Sequence, residues 1–345
     1  MAGLWSRVRL WSIRAGIVVS IVYAAVALSA AYRGDVYSHA AFMVPGGLVL
    51  FASVMAYAYS APVLHRLGGP AEAAGVLVVA ALSAFPLLAY SRVPAAWLFY
   101  TTPAVVVAVL TALGAVRLRN TIARASYMHI SLSYIVSSVL AFIAYSDAGI
   151  RGAAVALTYS LLLPLVYAVS FQSFTMTCGL KPVLWLLPAS TAASLVSGVA
   201  AITGSSYAGP AVLLSMVLYI IGARLYEVKR CMHGGKAARR YFAIGHIAVL
   251  VATVLSIYAI AGGTGPYALH AVLIGFVGVH IAVHAPMMVP VVVGLSNARR
   301  FTPLPYVLLL AAVPAWSYSC RASMLLLVAW LFFTVAIVAG RRRLR

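Results

Sequence analysis

Residues 241–261 read YFAIGHIAVLVATVLSIYAIA, a run without one formal charge, preceded by Arg239-Arg240 and followed by Gly262-Gly263. At about 1.5 Å per residue a helix of this run is roughly 31 Å long, the thickness of a bilayer's hydrocarbon core. Apolar runs of about twenty residues, the length that crosses such a core, recur on both sides of it. The spans fall at 12–31, 39–61, 72–90, 94–115, 125–145, 152–172, 183–202, 207–223, 241–261, 267–291, 303–319 and 322–340. The expected fold is an all-α polytopic membrane helix bundle of about twelve transmembrane helices, a single transmembrane domain over 1–345. The longest connection is 224–240, RLYEVKRCMHGGKAARR.

Composition agrees. Of 345 residues 64% are hydrophobic and 8% charged, with a mean hydropathy of +1.05. A soluble domain carries roughly a quarter charged residues, and no water-soluble fold hides this much apolar surface. A net charge of +20 first suggests nucleic acid. Yet the Arg and Lys residues sit between apolar runs and form no stripe with interleaved aromatics, so the expected partner is the lipid bilayer and no nucleic acid. Orientation follows from where the cations fall. With these spans, 20 of the 24 Lys and Arg residues lie on one face of the membrane; Arg33, Arg92, Arg151 and Arg321 lie on the other. That places both termini on the cytoplasmic side of the cell membrane. The basic, then apolar, N-terminal segment shows no small-residue cleavage site after its run, and reads as a retained first span.

The polar chemistry available inside the membrane is imidazole. The four acidic residues, Asp35, Glu72, Asp147 and Glu227, lie at span ends or in loops, which weakens a cation-coupled transporter. Prolines 45, 86, 164, 188 and 286 fall within spans, where neighbouring groups satisfy the freed carbonyls and the helix kinks. Of eight histidines, His65 and His233 sit in or beside cytoplasmic loops. The others sort by depth. His39 and His270 begin spans that enter from outside. His284 lies fourteen residues beyond His270, roughly 21 Å deeper, with His280 one turn before it. His129 and His246, each about five residues inside a span from the cytoplasm, reach the level of His284. The expectation is an outer pair, His39 with His270, and an inner group, His129, His246, His280 and His284.

At 100° per residue His270, His280 and His284 share one helix face, and Gly46, two turns after His39, leaves room for a flat macrocycle. A single intramembrane histidine is most often a helix–helix hydrogen bond. Three on one arc, with partners at matching depths, point instead to ligation. Neutral imidazole costs less in hydrocarbon than a charge and binds iron, copper or zinc strongly. Haem iron is commonly held by axial histidine, its porphyrin rim at home between helices. Cys178, Cys231 and Cys320 form no CxxC pair and no disulfide framework. Cys178 with Cys231-Met232-His233 offers only loose spacing for a cytoplasmic metal site. Tyr127, Tyr134 and Tyr241 near the inner histidines are candidate proton relays.

The stretch HAVLIGFVGVHIAVHAP at 270–286 resembles the histidine-bearing helix of the NnrS family, and HAAFMVPGG at 39–47 is similar to that family's early histidine helix. The resemblance covers the span count and these two helices. It implies a twelve-span protein that binds haem and copper and is linked to nitric-oxide metabolism, similar in outline to the catalytic subunit of haem–copper oxidases. No adjacent His-His pair and no His-Pro-Glu-Val-Tyr run occurs, which puts the oxidase copper centre, and oxygen reduction, in doubt. The reading is thus of a haem b protein, with copper as a second metal, in electron transfer or nitric-oxide or respiratory metabolism. Its cofactor ligands would be His39, His270, His246 and His284, and its metal ligands His129 and His280. A redox partner or respiratory-complex subunits would be its protein partners, and whether catalysis happens in this chain or in a companion subunit stays open. Alternatives are a b-type cytochrome anchor subunit of a respiratory complex and a transporter or permease without haem. On the haem reading, His39→Ala and His270→Ala are each expected to remove the same component of the reduced visible spectrum. Loss of two different components would sink the pairing.

Overall fold

The computed structural model describes residues 2–64, 69–232, 237–263, 265–293 and 302–339. His65, Arg66, His233, Lys236, Arg299, Arg300 and the arginines at 341–343 and 345 lie outside the described residues. The described chain is helical, with no strand. In order the elements are α1 (Ala2–Tyr32), α2 (Val36–Ala41), a π-helical segment (Phe42–Val49), α3 (Leu50–Leu64), α4 (Gly69–Tyr90), a 3-10 turn (Pro94–Trp97), α5 (Leu98–Arg117) and α6 (Thr121–Leu157). A second π segment (Thr158–Leu162) leads to α7 (Leu163–Cys178), α8 (Leu186–Ile202), α9 (Ala208–Ala223), the short α10 (Val228–Met232) and α11 (Ala237–Ala261). Next come α12 (Pro266–His270), a third π segment (Ala271–Val277), α13 (Gly278–Val292), α14 (Leu304–Tyr318) and α15 (Cys320–Ala339).

Eight described helical stretches are long and apolar enough to cross a membrane, and α8, α9 and α14 are shorter apolar helices. One stretch, Thr121–Cys178, runs 58 residues, roughly 87 Å at the rise of an α-helix and far more than a bilayer needs. It is not straight. Gly149 adopts φ 64°, ψ −153°, a conformation essentially reserved for glycine, and the chain doubles back. Gly152 then lies against the Ala144 carbonyl, where an added Cβ would sit 2.5 Å from that oxygen. The turn occurs inside the expected break between the fifth and sixth spans.

Packing groups the chain into two compact units, Met1–Ala168 with Ala201–Thr203, and Val169–Ala200 with Gly204–Arg345. In the first, several buried polar groups are paired between helices, as an apolar surround favours. The Tyr134 and Ser53 hydroxyls meet at 2.7 Å, as do those of Tyr100 and Ser137, and Ser131 donates to the Ala108 carbonyl at 2.8 Å. Asp35 caps α2 by accepting from the Ser38 amide at 3.0 Å; hydrogen bonds from Ser38 hold its carboxyl below the usual range. Glu72, read from sequence as a span-end residue, is 2% exposed, ion-paired with Arg9 of α1 and accepting from Tyr57 of α3. Gly75, one turn on, makes room for the Tyr57 ring, into which any added Cβ would collide.

The second unit is assembled around close helix approaches. Gly222 lets α9 reach Phe171 and Leu186, and Gly245 lets α11 reach Val283 of α13. The Tyr241 and Tyr306 rings pack tilted at 5.0 Å, and Tyr241 donates to the Ala282 carbonyl. The expected loop at 224–240 contains α10, whose approach is braced by Glu227 pairing with Arg224 at 3.0 Å and Arg230 at 2.6 Å.

The π segments follow local chemistry in two cases. Pro45 has no N–H to offer the preceding turn, and the Pro164 ring crowds the carbonyl of residue 160, so the helix widens around each. Nothing in residues 271–277 compels the third.

Candidate metal centre

The six singled-out histidines divide between the units. His39 and His129 belong to the first; His246, His270, His280 and His284 belong to the second. Four of them share one arrangement. Nδ1 faces a backbone carbonyl, Ala27 for His39 (3.1 Å), Ala125 for His129 (2.7 Å), Pro266 for His270 (2.7 Å) and Phe276 for His280 (2.7 Å). A carbonyl only accepts, so Nδ1 carries the proton and Nε2 bears the lone pair. This is how proteins commonly fix the tautomer of a ligating histidine.

Around the outer two, the surroundings differ from expectation. The His270 ring stacks on Trp316 of α14 at 4.8 Å. The gap beside Gly46 is filled by the Tyr23 ring of α1, which an added Cβ would meet at 2.8 Å. The glycine thus seats an aromatic side chain where space for a macrocycle was expected. Nor does the straight-helix phase carry from His270 to His280 and His284. The π segment at Ala271–Val277 lies between them, and each π turn holds about one extra residue, rotating the downstream helix by roughly 100°. His270 accordingly faces α14, while His280 faces α9.

The inner histidines of the second unit are all buried. His280 is fully satisfied, since its Nε2 accepts from the Tyr219 hydroxyl at 2.8 Å. The His284 Nε2 meets Ser170 Oγ at 3.0 Å, and its Nδ1 has no partner. The two rings are 6.5 Å apart. Phe174 lies between the helices, its centroid 5.4 Å from that of His284 and 4.3 Å, edge to face, from that of His246. His246 and His284 thus share one aromatic neighbour.

His246 stands apart. It is 0% exposed, and neither ring nitrogen makes a hydrogen bond. Among the described residues it is the one side chain with two enclosed, unpartnered polar atoms. Leaving a buried polar group unpaired costs about 1–3 kcal/mol. Beside it, Cys178 at the end of α7 and Cys231 in α10 are joined as a disulfide, with Cα atoms 4.5 Å apart. The two sulfurs and a His246 nitrogen all lie within 4.8 Å of one another. The sequence pointed at Cys178 and Cys231 but named His233 as their companion; His233 lies outside the described residues. His246 follows Cys231 by fifteen residues across a change of helix, a separation no ligand motif encodes.

These residues suit a metal ion better than a porphyrin. The two sulfurs, bonded here as a disulfide, and a His246 nitrogen lie within 4.8 Å of one another, and Phe174 packs against both His246 and His284. Comparison of the chain with protein-family models, with curated proteins and with solved structures finds no match.

Proposed function

We propose that this chain is a twelve-span protein of the cytoplasmic membrane, both termini inside, carrying a histidine-ligated redox group and working in electron transfer or nitric-oxide or respiratory metabolism. The group is haem b or a copper ion. The span count draws support from eight long apolar stretches, one of them doubled at Gly149, together with three shorter apolar helices. The single observation that carries the metal reading is the enclosed His246 imidazole with two unpaired nitrogens. A protein that keeps such a group in an apolar interior loses stability unless something binds it. His284, with one nitrogen free, is its nearest counterpart. His39, His129 and His270 have Nδ1 fixed by backbone carbonyls, the tautomer common among ligating histidines.

When bound, haem or copper supplies one-electron chemistry. The chain's own contribution is to fix imidazole tautomers through backbone carbonyls and to surround His246 and His284 with the rings of Phe174 and Phe242, the latter 5.8 Å from His284. Protein purified in detergent from haem- and copper-replete cells is expected to show either a sharp α-band on reduction or about one copper per chain. Absence of both counts against the reading and favours a permease.

A further inference from the structure

From the convergence of Cys178, Cys231 and His246 we infer a thiophilic metal site, distinct in chemistry from a haem site, that takes a d10 ion such as zinc(II) or copper(I). The inference rests on reading His246 as a metal ligand and deepens it by naming the partners of that imidazole. Three observations carry it. The three donor atoms lie within 4.8 Å of one another. All three residues are buried, at 6%, 0% and 0% exposure. And the imidazole aimed into the group has no other partner.

Soft thiolates with an imidazole select zinc or copper(I) over hard cations. Zn–S bonds of about 2.3 Å and Zn–N bonds of about 2.0 Å put ligand atoms roughly 3.5 Å apart around a tetrahedral ion, a separation the two sulfurs, bonded to each other here, reach only once the disulfide is reduced. Charge favours zinc in particular. Two thiolates offset the divalent ion and neutral imidazole adds nothing, so the assembly is uncharged, as an apolar interior requires. Three protein ligands leave a fourth position open, the pattern of exchangeable and reactive zinc rather than of closed structural sites.

The disulfide is then the metal-free, oxidised form of the same site. A dithiol reductant delivers two electrons and two protons, giving two thiols while the reductant closes to its own disulfide. Binding of zinc(II) next releases the two thiol protons to water. With both termini cytoplasmic, Cys178 and Cys231 fall at the cytoplasmic ends of their helices, where thiols are ordinarily kept reduced.

The test uses the full-length chain in detergent, reduced by a dithiol or oxidised by a mild thiol oxidant, each incubated with zinc(II) alone or copper(I) alone and desalted. Reduced wild type is expected to retain about one metal ion per chain and oxidised wild type none, a comparison needing no variant. Cys178→Ala, Cys231→Ala and His246→Ala should each reduce retention to background, and cobalt(II) substitution should give a thiolate charge-transfer band in wild type alone. Equal retention by reduced and oxidised wild type would overturn the inference, as would a Cys178–Cys231 bond surviving the reductant. Haem α-bands on the same samples separate the two readings. Bands without thiol-dependent metal sink this inference alone; thiol-dependent zinc without haem or copper sinks the redox reading alone.

Discussion

Replacing His246 with leucine is expected to raise the stability of the metal-free protein while reducing its bound metal to background. The imidazole makes no hydrogen bond that the substitution removes. Its burial without a partner costs about 1–3 kcal/mol, and an apolar side chain of similar volume relieves that cost. His280→Leu supplies the contrast. It takes away the acceptor of the buried Tyr219 hydroxyl and the donor to the Phe276 carbonyl, so a loss of about 1–3 kcal/mol is expected. Denaturation of both variants in mixed micelles, alongside metal analysis, checks the pair. If His246→Leu proved as destabilising as His280→Leu, the ring would be a packing element and the metal reading would lose its support. Stability traded for a binding group is the usual signature of a functional site.

Arg9→Met should be among the most damaging substitutions in the first unit. Glu72 is enclosed, with its side chain 3% exposed, and Arg9 is its cation. Removing one partner of a buried pair leaves an uncompensated charge, which costs about 3–5 kcal/mol. Arg9 is itself 20% exposed, so the lower end, about 3 kcal/mol, is expected. Glu72→Leu in the same chain should restore most of it, because an apolar pair often replaces a buried ion pair without loss. Tyr57 keeps an acceptor in the double variant, the Glu72 backbone carbonyl at 3.2 Å. A double-mutant cycle read from unfolding midpoints measures the coupling. A double variant as unstable as Arg9→Met alone would show that the stranded carboxylate is not the cause.

Helix positions were legible in the sequence because hydrocarbon admits so few backbone solutions. A run such as 241–261 has to be a helix where every peptide group must be bonded internally, and α11 contains it. The turn at Gly149 was legible too, as a polar break between apolar runs, although not as a fold-back without a loop. Three things were hidden. Residues 271–277 contain no proline, so nothing announced the π winding that turns His270 away from the face of His280 and His284. Glu72 looked like a solvated span end, since Arg9 lies sixty-three positions earlier. And the neighbourhood of Cys178, Cys231 and His246 depends on how α7, α10 and α11 converge, which local spacing does not record. Which residues carry imidazoles could be read in advance; which nitrogens lack partners needed side-chain geometry.

The widened windings carry a consequence for inheritance. A stretch such as Ala271–Val277, which contains no proline, behaves as a helix that has accepted one surplus residue, so dropping a single codon there leaves a regular α-helix rather than a broken one. What changes is register. Everything on one side of the excision swings by roughly 100° relative to the other, and His270 comes to look at a different neighbour. Lineages can therefore re-aim an imidazole by gaining or losing one amino acid, with no ligand replaced and no helix lost.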